Sequence, residues 1–124
     1  LNPHVQGPVK ELLGGLPNVH LIKPLDYLPF VRLMTESDVI ITDSGGVQEE
    51  APSFGIPVLV MRDTTERPET VEQGTNVLLG TDPVAIAPAF DRLFEGKWQT
   101  GRVPPLWDGK AAERIVGHLE VLLS

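Results

Sequence analysis

The stretch Val39-Ile40-Ile41-Thr42-Asp43-Ser44-Gly45-Gly46-Val47-Gln48-Glu49-Glu50-Ala51-Pro52 decides the fold class of this chain. Val39 to Thr42 is an apolar run that stops at a polar residue; two glycines follow, and then a segment of helix-forming residues. That is the outline of a strand turning sharply into a helix, the place where α/β proteins hold anions. Glycines let the backbone approach a ligand, and the first N–H groups of the helix point at it with the positive end of the helix dipole behind them. A phosphate or diphosphate suits such a turn. Glu50 lies about one helical turn beyond Gly46, so its carboxylate stays near the same mouth and can accept hydrogen bonds from neutral hydroxyls, as acidic residues do with a ribose. Glu49 points about 100° away from Glu50, so at most one of them faces a ligand, and Glu49 reads as solvated or as a partner for a neighbouring segment. Without a ligand, the same stretch reads as a strand-to-helix turn with glycine for steric reasons and Ser44 as an N-cap.

Upstream, Val5, Val9, Leu12 and Leu13 recur at helical spacing and Gly14-Gly15 stops them, which predicts a first helix. Val19-His20-Leu21-Ile22 reads as a short strand closed by Pro24, and Leu25 to Met34 as a helix with Pro29 in its early part. Downstream, the helix is expected from about Gly46 to Phe54, with Gly55 as its C-cap. Val58-Leu59-Val60-Met61 is an unbroken apolar run of the kind shown by a strand buried on both faces. After the polar tract 62–69 come a short helix to Gln73, a strand over Asn76 to Gly80, and a helix from an Asp82 cap with Pro83 at its first position to about Phe94. Gly96 to Gly109 has no period and reads as a loop. Lys110 to Leu123 carries Ala111, Ile115, Leu119 and Leu122 along one face of a last amphipathic helix.

Four short apolar strands alternating with helices predict an α/β fold with a parallel sheet covered on both faces. Ligands of such sheets sit at the carboxyl ends of the strands, and three polar turns fall there: Lys23 to Leu25, Asp43 to Gly46, and Arg62 to Arg67. At 124 residues the chain is one domain's worth, short for a complete two-substrate enzyme. Its opening, Leu1-Asn2-Pro3-His4, lacks an initiator Met and reads as cut from something longer. The hydrophobic content of 41% against 22% charged residues is that of an ordinary globular protein. A net charge of −7 argues against a nucleic-acid surface, which needs a basic stripe, yet one bound diphosphate needs only a local site. With no cysteine there is no disulfide framework, thiolate metal site or Cys nucleophile. No apolar run approaches the roughly 18 residues of a membrane span, so neither a membrane nor a nucleic acid is an expected partner.

Arg62 and Arg67 frame the second polar turn, and either could reach a phosphate at Gly45-Gly46 with the planar fork of its guanidinium. Their alternative is pairing with Glu66 and Glu69 on a solvated loop. His4, His20 and His118 are far apart and read as structural; no spacing suggests a metal site. Ser44 has no evident His and Asp partners for a nucleophilic triad. Gly45-Gly46 is neither a P-loop nor a complete G-x-G-x-x-G. With no acid–base pair in reach, the chain reads as a binder of a leaving group, with no catalytic residue of its own.

Asp43-Ser44-Gly45-Gly46-Val47-Gln48-Glu49-Glu50-Ala51-Pro52, followed by Gly55 to Glu69 with its Thr64-Thr65-Glu66-Arg67-Pro68-Glu69 segment, resembles the non-hydrolysing UDP-N-acetylglucosamine 2-epimerases from Leu1 through Asp82. The resemblance implies half of a two-domain, glycosyltransferase-B-like architecture: residues 1–124 would be a Rossmann-like, carboxyl-terminal UDP-binding domain truncated at its start, without the amino-terminal catalytic domain. It implies that Ser44, Gly45 and Gly46 hold the diphosphate, Glu50 the ribose hydroxyls, Arg67 a further part of the nucleotide, and Leu25 and Phe30 the uracil. Leu25 stands where some members have Gln, which a backbone contact tolerates, and His4 where Asn is common. The implied reaction is inversion at C2 of the sugar: UDP is eliminated to give 2-acetamidoglucal and adds back after the C2 proton is replaced on the other face. The carboxylates and histidine for that chemistry would lie outside this chain, so the fragment alone is expected to be inactive. The resemblance calls for no cofactor and implies a cytoplasmic homodimer for the full-length parent, feeding bacterial surface polysaccharide. A UDP-sugar-dependent glycosyltransferase shares the acidic ribose-binding helix, and the Thr-Thr-Glu-Arg-Pro segment discriminates against it. A non-catalytic nucleotide-binding module is a further alternative, which a second Rossmann-like half upstream would oppose.

Overall fold

Three parallel strands carry the architecture, and the most apolar of them lies in the middle. The structure, a computed structural model, describes residues 3–98 and 100–124; Leu1 and Asn2, where the family resemblance begins, and Gln99, in the loop expected over 96–109, lie outside the described residues. The chain divides into two compact units, Leu1–Phe30 and Val31–Ser124.

In the first unit, helix α1 spans Pro3–Leu13 and stops where Gly14 and Gly15 were expected to stop it. The strand expected at Val19 to Ile22 does not form. A strand exists only where a neighbour completes its ladder, and among the described residues no ladder includes Val19 to Ile22; Val19 N–H bonds locally to the Leu16 carbonyl at 3.2 Å. Leu21 and Ile22 are exposed. The second helix, α2, runs Tyr27–Thr35 across the division, two residues later than expected, with Pro29 in its first turn. There a missing N–H costs nothing.

In the second unit, β1 (Ile40–Thr42), β2 (Val58–Val60) and β3 (Asn76–Leu78) pair in the order β1-β2-β3, all parallel. Among the described residues the sheet thus has three strands where four were expected. Val58, Leu59 and Val60 are fully buried, which fits the unbroken apolar run of a central strand. Ala51, Val58 and Val60 form the core, with Ile40, Val47 and Leu78 packed against them.

Helix α3 (Gly45–Glu50) follows β1 and tightens into a 3-10 turn over Ala51–Phe54, so the helix expected to Phe54 is present but changes pitch at Pro52, which carries no N–H. It ends at Gly55 with φ 71°, the left-handed cap that glycine adopts without steric cost. Helix α4 spans Pro68–Glu72 and α5 Pro83–Phe94, where the Asp82 carboxylate accepts from Val84 N–H at 2.9 Å, as the Asp-Pro start predicts. The loop after α5 is tied to the far end of the sheet: Arg102 N–H donates to the Gln73 carbonyl at 2.8 Å and Trp98 Nε1 to the Thr75 carbonyl at 3.1 Å.

Helix α6 (Ala111–Leu123) is the second departure. It forms as its period predicts, but no residue on it is buried, and Ile115, Leu119 and Leu122 are exposed. Periodicity shows which face could be covered and does not supply the cover.

The ladder aligns Thr42 with Val60 and Val60 with Leu78, so the strands finish level. Met61 N–H bonds to the Thr42 carbonyl and Leu79 N–H to the Val60 carbonyl, both at 2.9 Å. The turns that start at Asp43 and Arg62 therefore leave one edge of the sheet, as expected. For Lys23 to Leu25 the topological reason is removed, since no strand precedes that turn among the described residues.

Candidate functional site

The turn after β1 is held from beneath. Ser44 N–H donates to Thr42 Oγ1 at 3.0 Å, and the Ser44 carbonyl accepts the first helical bond from Gln48 N–H at 3.2 Å. Ser44 is the N-cap residue by backbone position, but its side chain makes no cap bond, and the residue is exposed. Neither Gly45 nor Gly46 has a positive φ. An added Cβ at Gly45 would meet nothing within 4 Å, and one at Gly46 only Ser44 Oγ at 4.0 Å. Folding therefore demands neither glycine at this turn, and capping does not use the serine hydroxyl. The purely structural explanation of Ser-Gly-Gly loses both of its supports, and what remains is an exposed, side-chain-free backbone beside a hydroxyl.

Arg67 reaches α3 from the turn after β2. Its Nε lies 2.5 Å from Glu49 Oε1, with both side chains about two-fifths exposed, and its Nη1 donates to the Glu66 carbonyl at 3.0 Å. The partner is Glu49, not Glu66 or Glu69. This agrees with Glu49 serving a neighbouring segment and leaves Glu50, half-buried, outside any ion pair among the described residues. Arg62 is exposed and also makes no ion pair among them.

A buried polar layer joins the helix and the turn of this pair. Gln48, 2% exposed, accepts from Thr65 Oγ1 at its side-chain oxygen (2.9 Å) and from Asn76 Nδ2 at its carbonyl (3.0 Å). Thr65 Oγ1 in turn accepts from Arg67 N–H at 3.1 Å, and the Arg67 carbonyl accepts from Thr70 Oγ1 at 2.7 Å. Polar side chains at such depth are held by satisfied hydrogen bonds. Their only trace in the sequence is polar residues next to apolar strands, a weak sign.

Ser44, Gly45, Gly46, Glu50 and Arg67 are thus brought together on α3 and the turn tied to it. Leu25, exposed, and Phe30, half-buried, belong to the first unit. A concavity of that unit, lined by Val5, Val9, Gly14, Val19, Leu21 and Lys23, contains none of the candidate residues. His4, His20 and His118 are exposed on α1, the following loop and α6. Among the described residues no group of three His, Asp or Glu side chains could hold a metal ion. The α3 cluster offers backbone N–H groups, a hydroxyl and a guanidinium to an anion, and a carboxylate to neutral hydroxyls.

Against known proteins, residues 1–120 match the family model described as UDP-N-acetylglucosamine 2-epimerase. A probable UDP-N-acetylglucosamine 2-epimerase of Ralstonia solanacearum is 54% identical over 130 residues, covering 100% of this chain and 34% of the relative. The UDP-GlcNAc 2-epimerase of Neisseria meningitidis, solved bound to UDP-GlcNAc, superposes with a TM-score of 0.87 at 48% identity, covering 97% of this chain and 33% of that one. The Staphylococcus aureus MnaA structure with UDP gives 0.85 at 43% identity, covering 98% and 34%. The chain spans about a third of the length of the curated relatives it matches.

Proposed function

This chain belongs to the UDP-N-acetylglucosamine 2-epimerase family, and on that premise we propose that it is the UDP-holding part of an epimerase interconverting UDP-N-acetylglucosamine and UDP-N-acetylmannosamine. The observation that carries the proposal is the Ser44-Gly45-Gly46 turn, whose glycines and free hydroxyl have no role in folding or capping, beside Arg67. In this reading the turn's N–H groups and the Ser44 hydroxyl bind the diphosphate. The Arg67 guanidinium adds charge-assisted hydrogen bonds. Glu50 accepts from the ribose hydroxyls.

These residues hold and release UDP as it leaves C1 and returns. Stabilising the departing diphosphate lowers the barrier to elimination, because negative charge grows on it in the transition state. The protons at C2 belong to carboxylates and a histidine elsewhere in the parent protein. The chain is then the carboxyl-terminal, glycosyltransferase-B-like half of that parent, which we place in the cytoplasm as a homodimer making a precursor of surface polysaccharide. No helix among the described residues is long and apolar enough to cross a membrane.

Chemical-shift mapping of the chain with UDP is the test. Perturbations are expected at Ser44 to Glu50 and at Arg67, with no turnover of UDP-N-acetylglucosamine by the chain alone. Shifts confined to other residues overturn the site assignment, and turnover by the isolated chain overturns the division of labour.

A further inference from the structure

We propose that Gln48, Thr65 and Glu49 are positioning residues that fix Arg67 to α3, so that a nucleoside diphosphate meets the guanidinium and the Ser44-Gly45-Gly46 turn at a preset spacing. This rests on the reading of that turn as the diphosphate site. Three consecutive hydrogen bonds join the two parts: Gln48 N–H to the Ser44 carbonyl, Thr65 Oγ1 to Gln48 Oε1, and Arg67 N–H to Thr65 Oγ1. The Thr65 hydroxyl sits at the middle, donating to one side and accepting from the other, which uses its single proton and one lone pair. Thr70, fully buried, fixes the other side of the Arg67 peptide through two bonds to its carbonyl, from Oγ1 at 2.7 Å and from N–H at 3.0 Å. Gln48 is itself anchored to β3 through Asn76.

The side chain is held separately. Glu49 takes the Nε edge of the guanidinium and the Glu66 carbonyl takes Nη1, while Nη2 has no partner among the described residues. A guanidinium held at both Nε and Nη1 presents its Nη2 N–H groups in a fixed direction, where they can donate charge-assisted hydrogen bonds to a phosphate oxygen. The Glu49 pair is too exposed to add much to stability. What it contributes is orientation, which reduces the freedom a ligand must remove on binding. A loop tied only for stability needs the buried bonds and has no use for the exposed one.

Calorimetric titration of the 124-residue chain with UDP separates the possibilities. Thr65→Val removes the hydroxyl at nearly constant volume, Thr65→Ser keeps it, and Glu49→Gln removes the charge at an exposed position. Thr65→Val and Glu49→Gln are each expected to weaken UDP binding by about 3- to 10-fold. Thr65→Ser stays within about twofold of wild type, and neither weakening variant loses further affinity once Arg67→Ala is present. Glu49→Gln keeps the unfolding midpoint, so it carries the test should Thr65→Val fail to fold. Wild-type or increased affinity in Glu49→Gln, or an equal loss in the Arg67→Ala background, overturns the positioning role and leaves the diphosphate site standing. Absence of UDP binding by the wild-type chain overturns the site, and the positioning role with it.

Discussion

Gly45 and Gly46 sit inside a helix with room for a side chain, and at this scale folding and binding call for opposite residues. Glycine in a helix is less stable than alanine by roughly 0.5–1 kcal/mol. An added methyl at either position meets no protein atom closer than 4.0 Å. Gly46→Ala is therefore expected to leave the urea midpoint unchanged or raised while weakening UDP binding at least about tenfold, a loss of roughly 1.4 kcal/mol. Equal affinity for UDP in that variant would remove the ligand explanation for the glycine. Gly101 is the opposite case. Its Cβ would lie 2.3 to 2.6 Å from backbone atoms of Gly74 and Thr75, which cannot swing aside as a side chain end could. Gly101→Ala should destabilise the chain by about 1–3 kcal/mol, read from the urea midpoint at constant slope. The Ser-Gly-Gly turn was legible in the sequence because strand, polar stop and glycines are contiguous. Gly101 was not, because the residue it touches is 27 positions away, by 101 minus 74.

At the scale of the element, α6 shows how a helix end is set by its own neighbours. Leu106, with φ 71°, and Gly109, with φ 76°, bend the chain ahead of it. Asp108 closes the bend: its carboxylate accepts from Lys110 N–H at 3.0 Å and forms a two-pronged pair with the Arg114 guanidinium one turn along. Those Arg114 hydrogen bonds, aided by Lys110 N–H, hold the Asp108 carboxyl at about 2, below its ordinary 3.8. Because the pKa is lower folded than unfolded, the contribution is complete above about pH 4 and fades as pH falls through about 2. The helicity of α6 should thus be flat from neutral pH to about pH 4 and decline below it. Asp108→Asn should lower it at neutral pH; an NMR titration of the Asp108 carboxyl and helical shifts of 111–123 check both. The extent of α6 was legible from its period, as were the Asp82 start of α5 and the glycine end of the 3-10 turn. The Asp108 turn was missed because it falls inside a loop whose composition carries no period.

At the scale of the whole molecule, protection is distributed unevenly. Strand β2 is bonded on both sides and fully buried, while α6 buries nothing. Amide exchange is expected to be slowest at 58–60 and much faster over 111–123, since a helix of 13 residues without packing is marginal in water. Comparable protection in both segments would show that α6 is covered in solution.

What the sequence determined by itself was local: the order of the helices and of the three strands that form, the burial of Val58 to Val60 on both faces, the turn at Ser44 to Gly46 and the helix stops at Gly14 and Gly55. Each follows from periodicity or from turn residues adjacent in the chain. Only the tertiary structure decided that Val19 to Ile22 has no ladder, that the apolar face of α6 is uncovered, that Arg67 pairs with Glu49, and that Gln48 is buried between Thr65 and Asn76. Those outcomes depend on neighbours 17 and 28 residues distant and on whether a partner surface is present, because a hydrogen-bond ladder and a buried polar group are properties of two surfaces in contact.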